Sequence, residues 1–173
     1  MTTKTTLAKL NAMSQADFVK VCGGLFEHSP WIAERTWAKR PFASVDALHA
    51  ALVASLAAST RDEQIGLIAA HPDLVGRLAK EGRLTNESTA EQRAAGLTGL
   101  NSAEVGAFDR YNTQYRAKFD FPFVICAREN KKDAILAAFP VRLNNDKAAE
   151  IANALAEIAK IARLRLLDAV SED

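Results

Sequence analysis

The sequence predicts an all-α fold: a single-domain helical bundle of about eight helices with one short extended buried segment. Three observations point there. Apolar residues recur at helical spacing along most of the chain. A serine or threonine repeatedly stands ahead of such a run as a helix cap. Only Phe121–Ala127 has the aromatic, β-branched make-up of extended chain. At 173 residues the chain has room for one domain with a sizeable core and is short for two. No internal repeat, low-complexity tract or linker divides it, so residues 1–173 are read as one domain.

Ser14 caps a first helix bearing Phe18, Val19, Val21 and Cys22, which Gly23-Gly24 weakens. Ser29-Pro30, cap then proline, starts another that carries Trp31 and Trp37. Ser44 caps a long alanine- and leucine-rich helix reaching about Ser59. Thr60-Arg61-Asp62-Glu63 is a capping-box pattern. The helix it opens ends at His71, because Pro72 disfavours helical geometry at the residue before it. Gly82–Glu87 reads as loop, and Ser88 opens a short helix that Gly96 closes. A longer helix runs from Ser102 to about Phe119, with Val105, Phe108, Tyr111 or Asn112, and Tyr115 at helical spacing. Phe121–Ala127 follows as a lone extended piece with no sheet to satisfy its backbone. Its N–H and C=O groups must bond side chains, water or a ligand. Helices near Lys131–Phe139 and Asn145–Val170 complete the chain.

Twenty-two basic residues against twenty-one acidic ones leave almost no net charge, which argues against nucleic acid or an anionic membrane as partner. Cys22 and Cys126 lie far apart and form no C-x-x-C pair, so they read as reduced thiols of a cytoplasmic protein. No apolar run approaches the ~20 residues needed to span a bilayer. The polar, threonine-rich N-terminus does not read as a secretory signal. His28, His49 and His71 are scattered without metal-ligand spacing, so no metal is expected.

The stretch most committed to chemistry is Ala70-His71-Pro72-Asp73-Leu74, followed seventeen residues after the histidine by Ser88-Thr89-Ala90-Glu91-Gln92. A helix C-terminus favours the imidazolium, which suits a general acid or an anion binder. Beside Leu67 and Ile68, His71 equally suits a packed, hydrogen-bonded residue. Glu91 supplies the carboxylate of an acid–base pair, or simply completes a capping box begun at Ser88. Gln92 is compatible with a solvated surface. On the last helix Ile151, Leu155, Ile158, Ala162 and Ala169 form an apolar stripe, and Arg165 falls inside it while Arg163 points away. There Arg165 either meets a carboxylate or an anionic ligand, or packs its stem and pairs internally.

Taken together, these segments resemble the 2-oxo-4-hydroxy-4-carboxy-5-ureidoimidazoline (OHCU) decarboxylase family, whose reaction ends the conversion of urate to (S)-allantoin. The matching pieces are Phe26-Glu27-His28-Ser29-Pro30-Trp31, Ala70–Leu74, Ser88 with Glu91-Gln92, and Ala95-Gly96-Leu97. They continue through Asn112–Tyr115, Phe119–Ile125, Glu157-Ile158, Ile161-Ala162 and Arg165-Leu166, in family order from about residue 20 to 167. The resemblance implies a catalytic histidine at His71 and an active-site carboxylate at Glu91. It implies substrate binding by Pro72, Ser88, Gln92 and Arg165, with backbone groups of the segment that includes Phe119, Phe123, Val124 and Ile125. It further implies a homodimer acting on a small-molecule substrate without a cofactor. The competing expectation is a non-catalytic helical module that binds a small heterocycle or a protein partner through the Phe121–Ala127 groove. A metal-dependent hydrolase would need ligands this sequence does not show.

Overall fold

The computed structural model describes residues 4–173, and it is all-α apart from two residue-pair strands. In chain order the elements are β1 (Thr5–Thr6), α1 (Leu7–Ala12), α2 (Gln15–Cys22), α3 (Trp31–Trp37), α4 (Val45–Ala57) and α5 (Arg61–Ala70). Then come α6 (Arg77–Lys80), α7 (Asn86–Ala94), α8 (Ser102–Phe119), a 3-10 turn (Ala127–Glu129), α9 (Lys132–Leu143), α10 (Lys147–Ala169) and β2 (Val170–Ser171). The chain divides into two compact units: residues up to Leu67 with Ala159–Asp173, and Ile68–Ile158.

In the first unit α3 packs against both α2 and α4. Phe18, Leu10, Ile32, Leu48 and Leu52 are fully buried there, and Phe18 stacks on Phe42. Ser14 and Ser44 cap α2 and α4 as their sequence positions predict, and Thr60 with Glu63 closes the capping box of α5. Ser29 does not cap α3. Its hydroxyl turns back to donate to Glu27 O at 3.0 Å, and α3 begins after Pro30 without a side-chain cap. The parallel pairing of Thr5 with Val170 and Thr6 with Ser171 has no counterpart in the sequence reading, since four residues are too few to show a period.

The second unit is built on aromatic packing. Phe108, Tyr115, Phe119, Phe121, Phe123 and Phe139 are fully buried, with Phe123 and Phe139 stacked at 3.9 Å between ring centres. This cluster fixes the aromatic segment between α8 and α9, which pack on each other. α9 continues past Phe139 through Pro140 to Leu143. Pro140 sits on the exposed side, where water can take the hydrogen bond that a proline leaves open, and the extra turn brings Arg142 into the interior.

Candidate active site

α5 ends one residue before His71, whose N–H donates to Ile68 O at 3.2 Å. The imidazole-bearing residue is buried, 7% exposed, and Pro72 turns the chain out of the helix. Leu74 and Val75 follow, with Val75 at φ +55°, a left-handed setting that is strained for a β-branched residue. Such strain costs about 1–3 kcal/mol and persists only where neighbours over-determine it. Gly76 then starts α6, and a Cβ there would lie 2.6 Å from Asp73 Cβ, so the turn requires glycine.

The neighbours are helices α7 and α8. Gln92 on α7 accepts from Val75 N–H at 3.1 Å and donates to Asp73 O at 3.5 Å. Asn112 on α8 donates to Leu74 O at 2.9 Å, and Arg116 donates to both carboxylate oxygens of Asp73. The bend after His71 is thereby held at three successive residues.

α7 opens at Asn86 under a Thr85 cap, which accepts from Ser88 N–H, and not at Ser88. The sequence offers both Thr85-x-x-Ser88 and Ser88-x-x-Glu91, and the upstream signal prevails. Ser88 therefore lies inside the helix, and a capping box with Glu91 does not form. Ser88, Glu91 and Gln92 are three and four residues apart, hence on one face. Ser88 and Gln92 are buried there and Glu91 is half-buried. At the other end Gly96 adopts φ +77°, and Leu97 N–H returns to Gln92 O while Gly96 N–H returns to Arg93 O, a Schellman closure. Through Gln92, the face that carries Glu91 is tied to the bend that carries His71.

Phe121–Cys126 is wholly buried and lies outside any helix or sheet, and the expected extended segment ends at Cys126 because Ala127 opens the 3-10 turn. Side chains satisfy part of its backbone: Arg142 Nη1 donates to Val124 O at 2.5 Å, and Glu157 accepts from Cys126 N–H at 2.8 Å. Arg142 is itself paired with buried Glu150 at 2.9 Å. Glu150 also accepts from the Tyr115 hydroxyl, Asn145 and Asn153. Burial raises the Glu150 carboxyl, but those hydrogen bonds and Arg142 together hold it below its ordinary value. The N–H and C=O groups of Phe123 and Ile125 bond no protein group among the described residues, so one edge of the segment keeps its donors and acceptors. Phe119 stands apart: it is the last residue of α8, with its ring in the aromatic cluster.

Arg165 belongs to the first unit, where its Nη1 donates to Glu27 at 3.0 Å and to Gly24 O at 3.3 Å. Both side chains of that ion pair are buried. Arg163, as its phase predicts, is exposed and pairs with Asp46. His49 bonds Ala159 O at 2.8 Å, and His28 is exposed at φ +47°. Among the described residues no cluster of potential ligands could hold a metal ion. No helix among them is long and apolar enough to cross a membrane.

Arg142 and Glu150, which hold the buried segment, carry no assignment in the sequence analysis, and Glu27 and Asn112 stand there only within matched segments. The stripe test that singles out Arg165 also finds Glu150, which lies in phase with Ala154, Ile158 and Ile161.

Residues 11–167, spanning both units, match the family model described as OHCU decarboxylase. The 2-oxo-4-hydroxy-4-carboxy-5-ureidoimidazoline decarboxylase of Haloferax volcanii is 39% identical over 168 residues, covering 97% of this chain and 98% of its own. That of Amia calva is 40% identical over 164 residues, covering 95% and 94%. The solved structure of an (S)-allantoin synthase, 28% identical, superposes with a TM-score of 0.76 over 96% of this chain, which spans 54% of that longer one. The chain belongs to the OHCU decarboxylase family.

Proposed function

We propose that this chain is a decarboxylase converting 2-oxo-4-hydroxy-4-carboxy-5-ureidoimidazoline to (S)-allantoin, the last step of urate degradation. The observation that carries the reading is the Gln92 link, which holds a buried histidine bend against the helix face of Ser88 and Glu91 inside a family-length match. In the substrate the carboxylated carbon adjoins a ring C=N. When CO2 leaves, the released electron pair forms a C=C bond to the ureido-bearing carbon, and the C=N pair moves onto nitrogen, which takes a proton. The resulting enol then loses its hydroxyl proton and gains one at the ureido-bearing carbon. The substrate thus carries its own electron sink, and no cofactor is required by the chemistry.

His71 handles the proton transfers in this reading, and delivery to one face of the enol sets the S configuration. Glu91 orients and polarises the substrate, a role of about 10²–10⁴-fold for an acid–base group. Pro72 and Ser88 complete the lining beside them. Gln92 holds the bend and directs its remaining hydrogen-bonding capacity to the ring. The Phe119–Ile125 segment offers the Phe123 and Ile125 peptide groups to a ligand rich in amide donors and acceptors, with Val124 fixed by Arg142 between them. Arg165 is assigned to substrate binding from its place in the family pattern. Because Glu27 already neutralises it, Arg165 suits a ring or ureido oxygen better than the departing carboxylate, whose tight binding would oppose CO2 loss. The reading extends to a homodimer in the cytoplasm, for which light scattering at twice the mass of one chain is the check.

The deciding experiment generates the substrate in place with urate oxidase and hydroxyisourate hydrolase and follows circular dichroism. Rapid appearance of optically enriched (S)-allantoin is expected. Racemic product at the spontaneous rate would reduce the protein to a binding module.

A further inference from the structure

Two side chains on α8 grip the bend that carries His71. Asn112 and Arg116 lie four residues apart, on one face of the helix. Asn112 is 7% exposed; its Nδ2 donates to Leu74 O at 2.9 Å, while its Oδ1 is buried with no hydrogen-bond partner among the described residues. A buried acceptor without a partner is destabilising, and a leucine of similar volume would fill the space without one. What Asn112 contributes is therefore its donor. Arg116 reaches the two carboxylate oxygens of Asp73 at 2.9 and 3.0 Å from a side chain that is 45% exposed, where an ion pair adds little to stability.

We propose that Asn112 and Arg116 are positioning residues for His71, fixing the Leu74 carbonyl and the Asp73 carboxylate so that the strained bend keeps the imidazole aimed. Upstream, His71 is fixed by the end of α5 through its bond to Ile68 O. Downstream, only Pro72 separates it from the gripped residues. Gln92 restrains Asp73 and Val75 from α7, and Leu74 O is left to Asn112. Releasing either α8 contact lets the left-handed Val75 relax and the ring drift, and a shift of about 1 Å at reacting groups is enough for about a hundred-fold loss of rate. The inference rests on the reading of His71 as the proton-transfer group.

The test uses Asn112→Leu, which keeps the packing and removes the donor, and Arg116→Ala, which changes an exposed side chain. Gln114→Ala, exposed on the same helix, is the control. Two readouts are taken: kcat and KM with freshly generated substrate, and the ring Cε1–H resonance of His71 in substrate-free protein, assigned against His71→Asn. Both α8 variants should lower kcat about ten- to a hundred-fold with KM within about threefold. Both should also move the His71 resonance while those of His28 and His49 stay in place. Unchanged kcat in both, or a lost rate with the His71 resonance unmoved, overturns the proposal. Should Asn112→Leu fail to fold, Arg116→Ala decides by the same criteria. The resonance needs no substrate, so a parent protein that forms no allantoin sinks the functional reading, while an unmoved resonance sinks the positioning.

Discussion

The carboxylate of Glu27 meets the guanidinium of Arg165 at 3.0 Å, and the two side chains are 3% and 5% exposed. A buried pair of this kind contributes little net stability against an apolar replacement, yet removing one partner strands the other charge. Glu27→Ala is therefore expected to destabilise the protein by about 3–5 kcal/mol, and the double change Glu27→Leu with Arg165→Met to recover most of that loss. Urea unfolding of the three proteins measures both. A loss below about 1 kcal/mol in Glu27→Ala would mean that solvent reaches the guanidinium.

His71→Asn keeps a side chain able to hydrogen-bond and removes the titrating ring. Turnover should fall by about 10²–10⁴-fold while the far-ultraviolet spectrum and the unfolding midpoint stay close to the parent's. Near-normal turnover would return His71 to a packing role.

Because Thr85 caps α7, the stabilising and chemical roles on this helix separate cleanly. Thr85→Ala should cost about 1 kcal/mol of stability, the usual value of a lost cap. Glu91→Gln, which keeps the side chain's size and much of its hydrogen-bonding capacity, should leave the helical fold intact and lower turnover by about 10²-fold. If Glu91→Gln instead lowers stability and spares specific activity, the carboxylate is structural.

Acid sensitivity has an identifiable contributor in the first unit. The Arg35 hydrogen bonds, then the Thr60 N–H, hold the Glu63 carboxyl down from 4.5 to about 2. A depressed carboxylate binds fewer protons when folded than when unfolded. Its stabilisation is complete above the unfolded value of 4.5 and disappears as pH falls toward about 2. Thermal midpoints measured through that window should drop less steeply for Glu63→Gln than for the parent. Identical slopes would show that the pair is open in solution.

Much of the fold was legible because its signals are local. Ser44, the Thr60–Glu63 box, Gly96 and the span Ser102–Phe119 are each settled by a few adjacent residues. The break between α8 and α9 was legible in the composition of Phe121–Ala127, though Ala127 turns into the 3-10 helix, and the need for side-chain partners followed from the absence of a sheet. Which side chains answer that need was not. Arg142 and Glu157 lie 18 and 31 residues from the groups they bond, and Glu27 lies 138 residues from Arg165. No period or spacing encodes such pairs. Boundaries failed where two local signals competed: Thr85 against Ser88 at the start of α7, and Pro140 against the packing of Arg142 at the end of α9. The short helices α1 and α6 span too few residues to show an apolar stripe.

The two thiols have a practical consequence. Cys22 and Cys126 are free and buried, and burial pushes them up to about 12 and about 11. At neutral pH neither is appreciably a nucleophile in the native state. One belongs to each compact unit. Their alkylation rates would therefore clock the local opening of the two halves separately, within the same sample and without any introduced label.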